Sequence, residues 1–196
     1  MTGWDCDTVR SVREQRLSRP TGTGTRVLVI GDSYAQGFGL ADPDRSWPHY
    51  LPGRVTVDGY SGSGFATPSH CGGGTYVERA RRLTATRPEV VIAQGGYNDV
   101  RAPARRVERA AIELVRLFPH ARVAIVGPPY KQGREDLRLV DRALARAAAR
   151  TGAQYVRAYA WPVRFEARNG HPTAASQRLI GTDVARAVLG RHVAHE

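Results

Sequence analysis

The sequence predicts a three-layer α/β/α sandwich: a five-stranded parallel sheet in the flavodoxin-like order 2-1-3-4-5, with helices on both faces. Three observations carry this expectation. Five short runs rich in Val, Ile and Ala alternate with segments of helical period, and such alternation calls for parallel strands joined by crossover helices. The first of these runs, Arg26–Ile30, is short, apolar and rich in β-branched residues, as a buried strand is. Finally, the unusual polar residues (Asp32 and Ser33, a glycine-rich loop, Asn98 and Asp99) each follow a strand, where the ligand crevice of such a sheet lies.

Residues 1–25 are polar and end in "PTGTGT", a lead-in to a domain spanning 26–196. Arg26–Ile30 is the first strand, and Ser46–Leu51 a helical turn. Arg54–Asp58 is the second strand, followed by a long loop of Gly, Ser and Thr from Gly59 to Gly74. Tyr76–Arg87 reads as a helix. Glu89–Ala93 ("EVVIA") is the third strand and ends in "QGGYND". Pro103 starts a helix, as proline does well in a first turn, and the helix runs to about Phe118 with Val107, Ala111, Leu114, Val115 and Phe118 on one face. "RVAIVGPP" supplies the fourth strand and a turn. Glu135–Arg150 is helical and closes at Gly152, a C-terminal cap. "AQYVRAY" is the fifth strand, and a final helix runs from about Thr173 to Leu189.

The chain has 196 residues, 41% of them hydrophobic, which suits one domain with a substantial core. The net charge of +11 is almost entirely arginine, since Lys131 is the one lysine. The arginines scatter over helices (Arg79, Arg81, Arg82; Arg105, Arg106, Arg109; Arg142, Arg146, Arg150) with no interleaved aromatics. That reads as the composition of a GC-rich genome rather than as a nucleic-acid surface. No apolar run approaches the roughly 20 residues of a membrane span, and Met1–Pro20 does not read as a signal peptide. Cys6 and Cys71 fit neither a zinc site nor a redox pair. They are either free thiols or one disulfide, the latter implying an oxidising compartment. A mature secreted domain is the preferred reading over a cytoplasmic one, as a monomer or weak dimer.

The chemistry lies in a combination. Gly31-Asp32-Ser33 alone is a strand running into a turn, "GGYND" alone is a capped turn, and in "HPTAAS" Thr173 can simply cap a helix. Together they bring a serine, a glycine loop, an asparagine and a histidine to one edge of the sheet. A serine hydroxyl needs a base to become a nucleophile, and His171 can supply it. The tetrahedral intermediate needs hydrogen-bond donors, for which the Ser33 and Gly62 N–H groups and the Asn98 side chain are candidates. Glycine at 62 lets backbone approach a substrate closely.

In these blocks the chain resembles the SGNH hydrolases, or GDSL esterase/lipase family, over roughly residues 26–190. The matching stretches are "GDSYAQGFG" with Ser33, "DGYSGSGF" with Gly62, "GGYND" with Asn98 and "NGHPTAAS" with His171. The resemblance implies an esterase that hydrolyses small or short-chain carboxylic esters, or acetyl esters on a glycan, through an acyl-enzyme. It implies no metal or organic cofactor. Acyl transfer is the neighbouring alternative. One departure stands out: the family usually places an aspartate three residues before the histidine, and this chain has Arg168. Glu166, or a backbone carbonyl near Arg168, is then expected to orient His171; otherwise the fold survives as a weakened, substrate-binding protein. Asp32 is expected to brace its turn and Asp99 the loop holding Asn98. Tyr34, Phe65, Tyr97 and Tyr130, with Trp47 and Trp161 nearby, are candidates for an apolar substrate wall.

Overall fold

A computed structural model describes residues 4–190 of the chain. Five parallel strands form one sheet in the order β2-β1-β3-β4-β5: β1 (Arg26–Gly31), β2 (Arg54–Gly59), β3 (Val90–Gln94), β4 (Arg122–Val126) and β5 (Gln154–Val156). β1 lies between β2 and β3, with Gly31 level with Gly59 on one side and Gln94 on the other. All three strand ends therefore open at the same edge.

Each strand divides its side chains between two cores. Leu28, Ile30, Val91, Ala93, Val123 and Ile125 face a core shared with α3 (Tyr76–Leu83), α4 (Ala104–Arg116) and α5 (Leu137–Thr151). Val27, Val29, Val55, Val57, Ile92 and Val126 face the other, closed by Trp47, by α2 (Ser33–Gln36) and by α6 (Ala174–Val184) with its π-helical extension Ala185–Leu189. Burying each such side chain is worth about 1.5–3 kcal/mol, so a period-two split of β-branched residues fixes the sheet between its helical layers. His192 and His195, which carried no signal in the sequence, lie outside the described residues.

The N-terminal segment departs from expectation. Residues 6–18 are not a lead-in but a helix, α1 (Cys6–Ser18), capped by Asp5, whose carboxylate accepts from the Thr8 N–H. It packs beside β2 and is fastened to the loop after that strand by a Cys6–Cys71 disulfide. Its attachments are polar: Arg13 donates to Asp58, and Arg16 to the Ala35 carbonyl and to Ser46. Val9 is the hydrophobic residue α1 buries, so no apolar stripe announced the helix.

Candidate active site

β1 delivers the chain to the sheet edge, where Gly31 leaves no room for a side chain: a Cβ there would meet that of Ala35 at 2.5 Å. Asp32 then caps α2, accepting from the Tyr34 N–H at 2.9 Å, and Ser33 becomes the first residue of that short helix. Asp32 is buried and its second oxygen has no partner. Burial, above all, pushes its carboxyl up to about 7.

His171 reaches this serine from the far end of the chain, its Nε2 lying 2.9 Å from Ser33 Oγ. The other ring nitrogen, Nδ1, faces the Asn169 backbone carbonyl at 2.9 Å, which makes it the N–H donor. Residues 164–173 form a tight hairpin. Glu166 N–H donates to the His171 carbonyl, Thr173 N–H to the Arg164 carbonyl, and the His171 N–H to Asn169 Oδ1. Thr173 then caps α6, as the sequence suggested.

The hairpin corrects one expectation. Glu166 meets His171 through backbone alone; its side chain is exposed and makes no hydrogen bond to the imidazole. The Asn169 carbonyl, next to Arg168, orients the ring, which is the second of the two alternatives that the sequence offered. Arg168 sits exposed at the tip, and the cation that bears on the imidazole is Lys131, which donates to the Gly170 carbonyl at 3.4 Å. Burial, and then the charge of Lys131, hold the His171 imidazole below its ordinary pKa, while the Asn169 carbonyl works in the opposite direction.

Two features missed by the sequence reading complete this side. Phe38 packs on the imidazole with centroids 4.7 Å apart, and Trp4 backs Phe38 at 5.2 Å. Gly39 has φ +84°, and a Cβ there would strike the Asn169 side chain at 2.4 Å. The "GFG" after the nucleophile thus serves the base: one glycine admits the turn that orients His171, and the phenylalanine covers its ring. The signal available was "NG" directly before His171, a turn dipeptide whose carbonyl lies close to the imidazole.

Gly62 and Asn98 lie on the loops after β2 and β3, at the same sheet edge as Ser33, and these loops are pinned by buried polar groups. Gly62 takes φ +77°. Gln36 anchors the neighbouring residue, accepting from both the N–H and the hydroxyl of Ser61 while donating to the Val9 carbonyl of α1. Asn98 donates to the Ser63 carbonyl at 2.8 Å, leaving its second amide N–H uncommitted to that bond. Asp99 is buried and accepts from the Phe65 and Ala66 N–H groups at 2.8 and 2.9 Å, tying the Asn98 turn to the Gly62 loop. Burial raises its pKa.

Beneath these loops lies a group that the sequence left among scattered surface arginines. Arg79 is fully buried. It bonds the Asp58 carboxylate at 2.5 Å, the Gly31 carbonyl at 2.9 Å and Ser63 Oγ at 3.0 Å. One guanidinium thus joins the ends of β1 and β2 to the loop carrying Gly62.

The proposed aromatic wall divides. Tyr34 lies 5.5 Å from the His171 ring and 5.7 Å from Tyr97, and Tyr97 lines an open cleft of about 840 Å³ with Gly62 and Asn98. Phe65, Trp47 and Tyr34 are corrected: Phe65 and Trp47 are wholly buried in opposite cores, and Tyr34 is buried in the same core as Trp47, behind the His171 ring, and does not line the cleft. Tyr130 pairs with Tyr159 and donates to Glu135 at the rim, away from the residues lining that cleft. Trp161 packs against the core shared with α6.

The model of the GDSL-like lipase/acylhydrolase family matches residues 29–179, a span that includes Ser33, Gly62, Asn98 and His171. Solved structures share the architecture. An aryl esterase from M. smegmatis is 19% identical, with a TM-score of 0.70 over 85% of this chain and 99% of that one. Est24, a carbohydrate acetylesterase from Sinorhizobium meliloti, is 15% identical, with a TM-score of 0.72 over 85% and 99% of the two chains. The psychrotrophic esterase EstA from Pseudoalteromonas sp. is 15% identical, with a TM-score of 0.69 over 85% and 98%. At such identities the likeness is one of fold. No curated protein matches the chain in sequence.

Proposed function

The chain belongs to the GDSL-like lipase/acylhydrolase family, and from that premise we propose that it is a serine esterase acting on small or short-chain carboxylic esters, including acetyl esters on a glycan. The observation that carries the proposal is the 2.9 Å contact between Ser33 Oγ and His171 Nε2, with Nδ1 committed to a carbonyl. That tautomer leaves Nε2 free to accept a proton.

Ser33 Oγ attacks the acyl carbon and its proton passes to His171 Nε2. The oxygen that gains negative charge accepts from the Ser33 and Gly62 N–H groups and from Asn98 Nδ2. His171 then gives its proton to the departing alkoxide, leaving an acyl group on Ser33. Water, deprotonated by the same nitrogen, releases the acid. The Asn169 carbonyl fixes the tautomer but carries no full charge, so the imidazolium is stabilised less than a carboxylate would stabilise it. With Phe65, Trp47 and Tyr34 withdrawn into the cores, the acyl wall reduces to Tyr97, which favours a short acyl group. The Cys6–Cys71 disulfide favours an oxidising compartment, and no helix of the described residues is long and apolar enough to cross a membrane.

A fluorophosphonate probe with mass mapping tests the reading. Labelling is expected at Ser33 and is expected to vanish in His171→Ala. A folded protein that neither labels nor hydrolyses p-nitrophenyl acetate would overturn it.

A further inference from the structure

Resting on that esterase reading, we propose that the cleft beyond Gly62 and Asn98 is an anion subsite, so that the preferred substrate is an ester bearing a carboxylate on the same molecule. The charged residues lining the cleft are Arg101, Arg106, Arg134 and Asp136. Arg134 and Asp136 neutralise each other through a two-pronged bond, Nε to Oδ1 and Nη2 to Oδ2, each 3.0 Å, and the Arg134 guanidinium also lies 4.9 Å above the Tyr97 ring. The uncompensated charge therefore comes from Arg101 and Arg106. Both are exposed, and among the described residues neither has an ion-pair partner.

The local carboxylates are engaged elsewhere. α4 carries Glu108 and Glu113; the first binds Arg146 and Arg150, the second Arg81. Asp99, the nearest acid in sequence to Arg101, is buried and accepts from backbone. Two guanidinium groups thus stand without counter-charge in a concave site that begins at the proposed oxyanion donors. A guanidinium fork holds a planar carboxylate through two parallel hydrogen bonds. A bound ester whose carbonyl oxygen sits at Gly62 and Asn98 can extend along this cleft. The carboxylate can belong to the acyl chain, as in a dicarboxylic half-ester, or to the alcohol, as in an acetylated uronic acid.

The test is calorimetric binding to Ser33→Ala, which cannot turn the esters over. One pair of probes is ethyl hydrogen succinate and ethyl butyrate; the other is O-acetylated glucuronate and O-acetylated glucose. In at least one pair the carboxylate member is expected to bind about five- to tenfold more tightly at low salt, the effect of two exposed charges beside an anion. The gap should narrow in high salt and close when Arg101→Gln and Arg106→Gln are added. It should persist with Arg82→Gln and Arg116→Gln, which remove the same charge from the C-terminal turns of α3 and α4. Which pair shows the gap identifies the side of the ester that carries the anion. Equal affinities in both pairs, a gap that survives loss of Arg101 and Arg106, or no binding of any of these esters would overturn the proposal. Turnover of p-nitrophenyl hydrogen succinate and p-nitrophenyl butyrate by the unmodified protein reads the esterase proposal separately. If neither is hydrolysed but the binding gap stands, the esterase reading fails and the subsite remains.

Discussion

Ser33 is mounted at the end of a strand buried from Val27 onward, whereas His171 is mounted on a hairpin whose tip is exposed. The serine side is held from below: Arg79 ties Gly31, Asp58 and Ser63 together, Gln36 grips Ser61, and Asp99 joins the Gly62 loop to the Asn98 turn. Each of these is a satisfied hydrogen bond in a site with little water, where loss of a partner leaves an unpaired polar group. The histidine side is held locally, by one carbonyl, one phenylalanine ring and a few hairpin bonds. Damage to the first side should therefore appear as lost stability, and damage to the second as altered rate or pH dependence.

The largest break falls on the serine side. Arg79→Met removes the cation from a buried pair and leaves the Asp58 carboxylate with Arg13 alone, a loss of about 3–5 kcal/mol. Urea denaturation with unchanged m reads it directly. A loss below about 1 kcal/mol would show that Arg79 is not the hub that its contacts imply.

The next largest concerns the tether of α1. Replacing Cys6 and Cys71 together by serine opens a link between residues 65 apart in sequence. It should lower stability by about 2–4 kcal/mol. Because Cys71 lies on the loop that carries Gly62, limited proteolysis should cut first within residues 59–75. Cleavage elsewhere, with this loop protected, would mean that the polar contacts of α1 suffice without the disulfide.

The same contrast explains what could be read in the sequence. The five strands were legible because β-branched runs facing two cores leave little else for them to be, and so was the sheet edge at which β1, β2 and β3 end. α1 was not, since Arg13, Arg16 and the disulfide do the work that an apolar face usually does. Nor was the buried role of Arg79: nothing in "ERARRL" separates an arginine that crosses the core from two that face water. Phe65 and Trp47 were misplaced because an aromatic near a strand end suits either a substrate wall or a core. On the histidine side the acceptor was legible as one of two alternatives, a carboxylate at Glu166 or a backbone carbonyl near Arg168, and the sequence could not choose between them because a carbonyl has no letter of its own; the Asn169 carbonyl is the one in place.

Smaller effects are expected at the hairpin. Arg168→Asp puts a carboxylate where the family usually has one. The Asn169 carbonyl already occupies Nδ1 at 2.9 Å, so kcat on p-nitrophenyl acetate should rise by less than about tenfold, well short of the several powers of ten that an aspartate brings where no other acceptor holds the ring. A rise of about a hundredfold or more would show that the carbonyl is a poor substitute and that this half of the site is underbuilt.

The smallest effect belongs to Lys131, and it separates rate from stability most cleanly. The base works only as neutral imidazole, and burial together with the nearby ammonium lowers the His171 pKa. The neutral form therefore persists to lower pH than for an ordinary histidine, and the acid limb of kcat/KM should lie below the usual value of about 6.5. Lys131→Met keeps an apolar stem beside Phe165, 5.4 Å from the present ammonium, and removes the charge. The imidazole then protonates more readily and the acid limb moves to higher pH, while burial keeps part of the original depression. The plateau rate should change by no more than about fivefold, the scale of one partly exposed charge. Added salt should move the limb the same way in the unmodified protein, by screening Lys131, and should do so less in the variant. If instead the limb stays put and the plateau falls, Lys131 serves as a strut under the Gly170 carbonyl, and the hairpin owes its shape to a second chain segment rather than to its own hydrogen bonds.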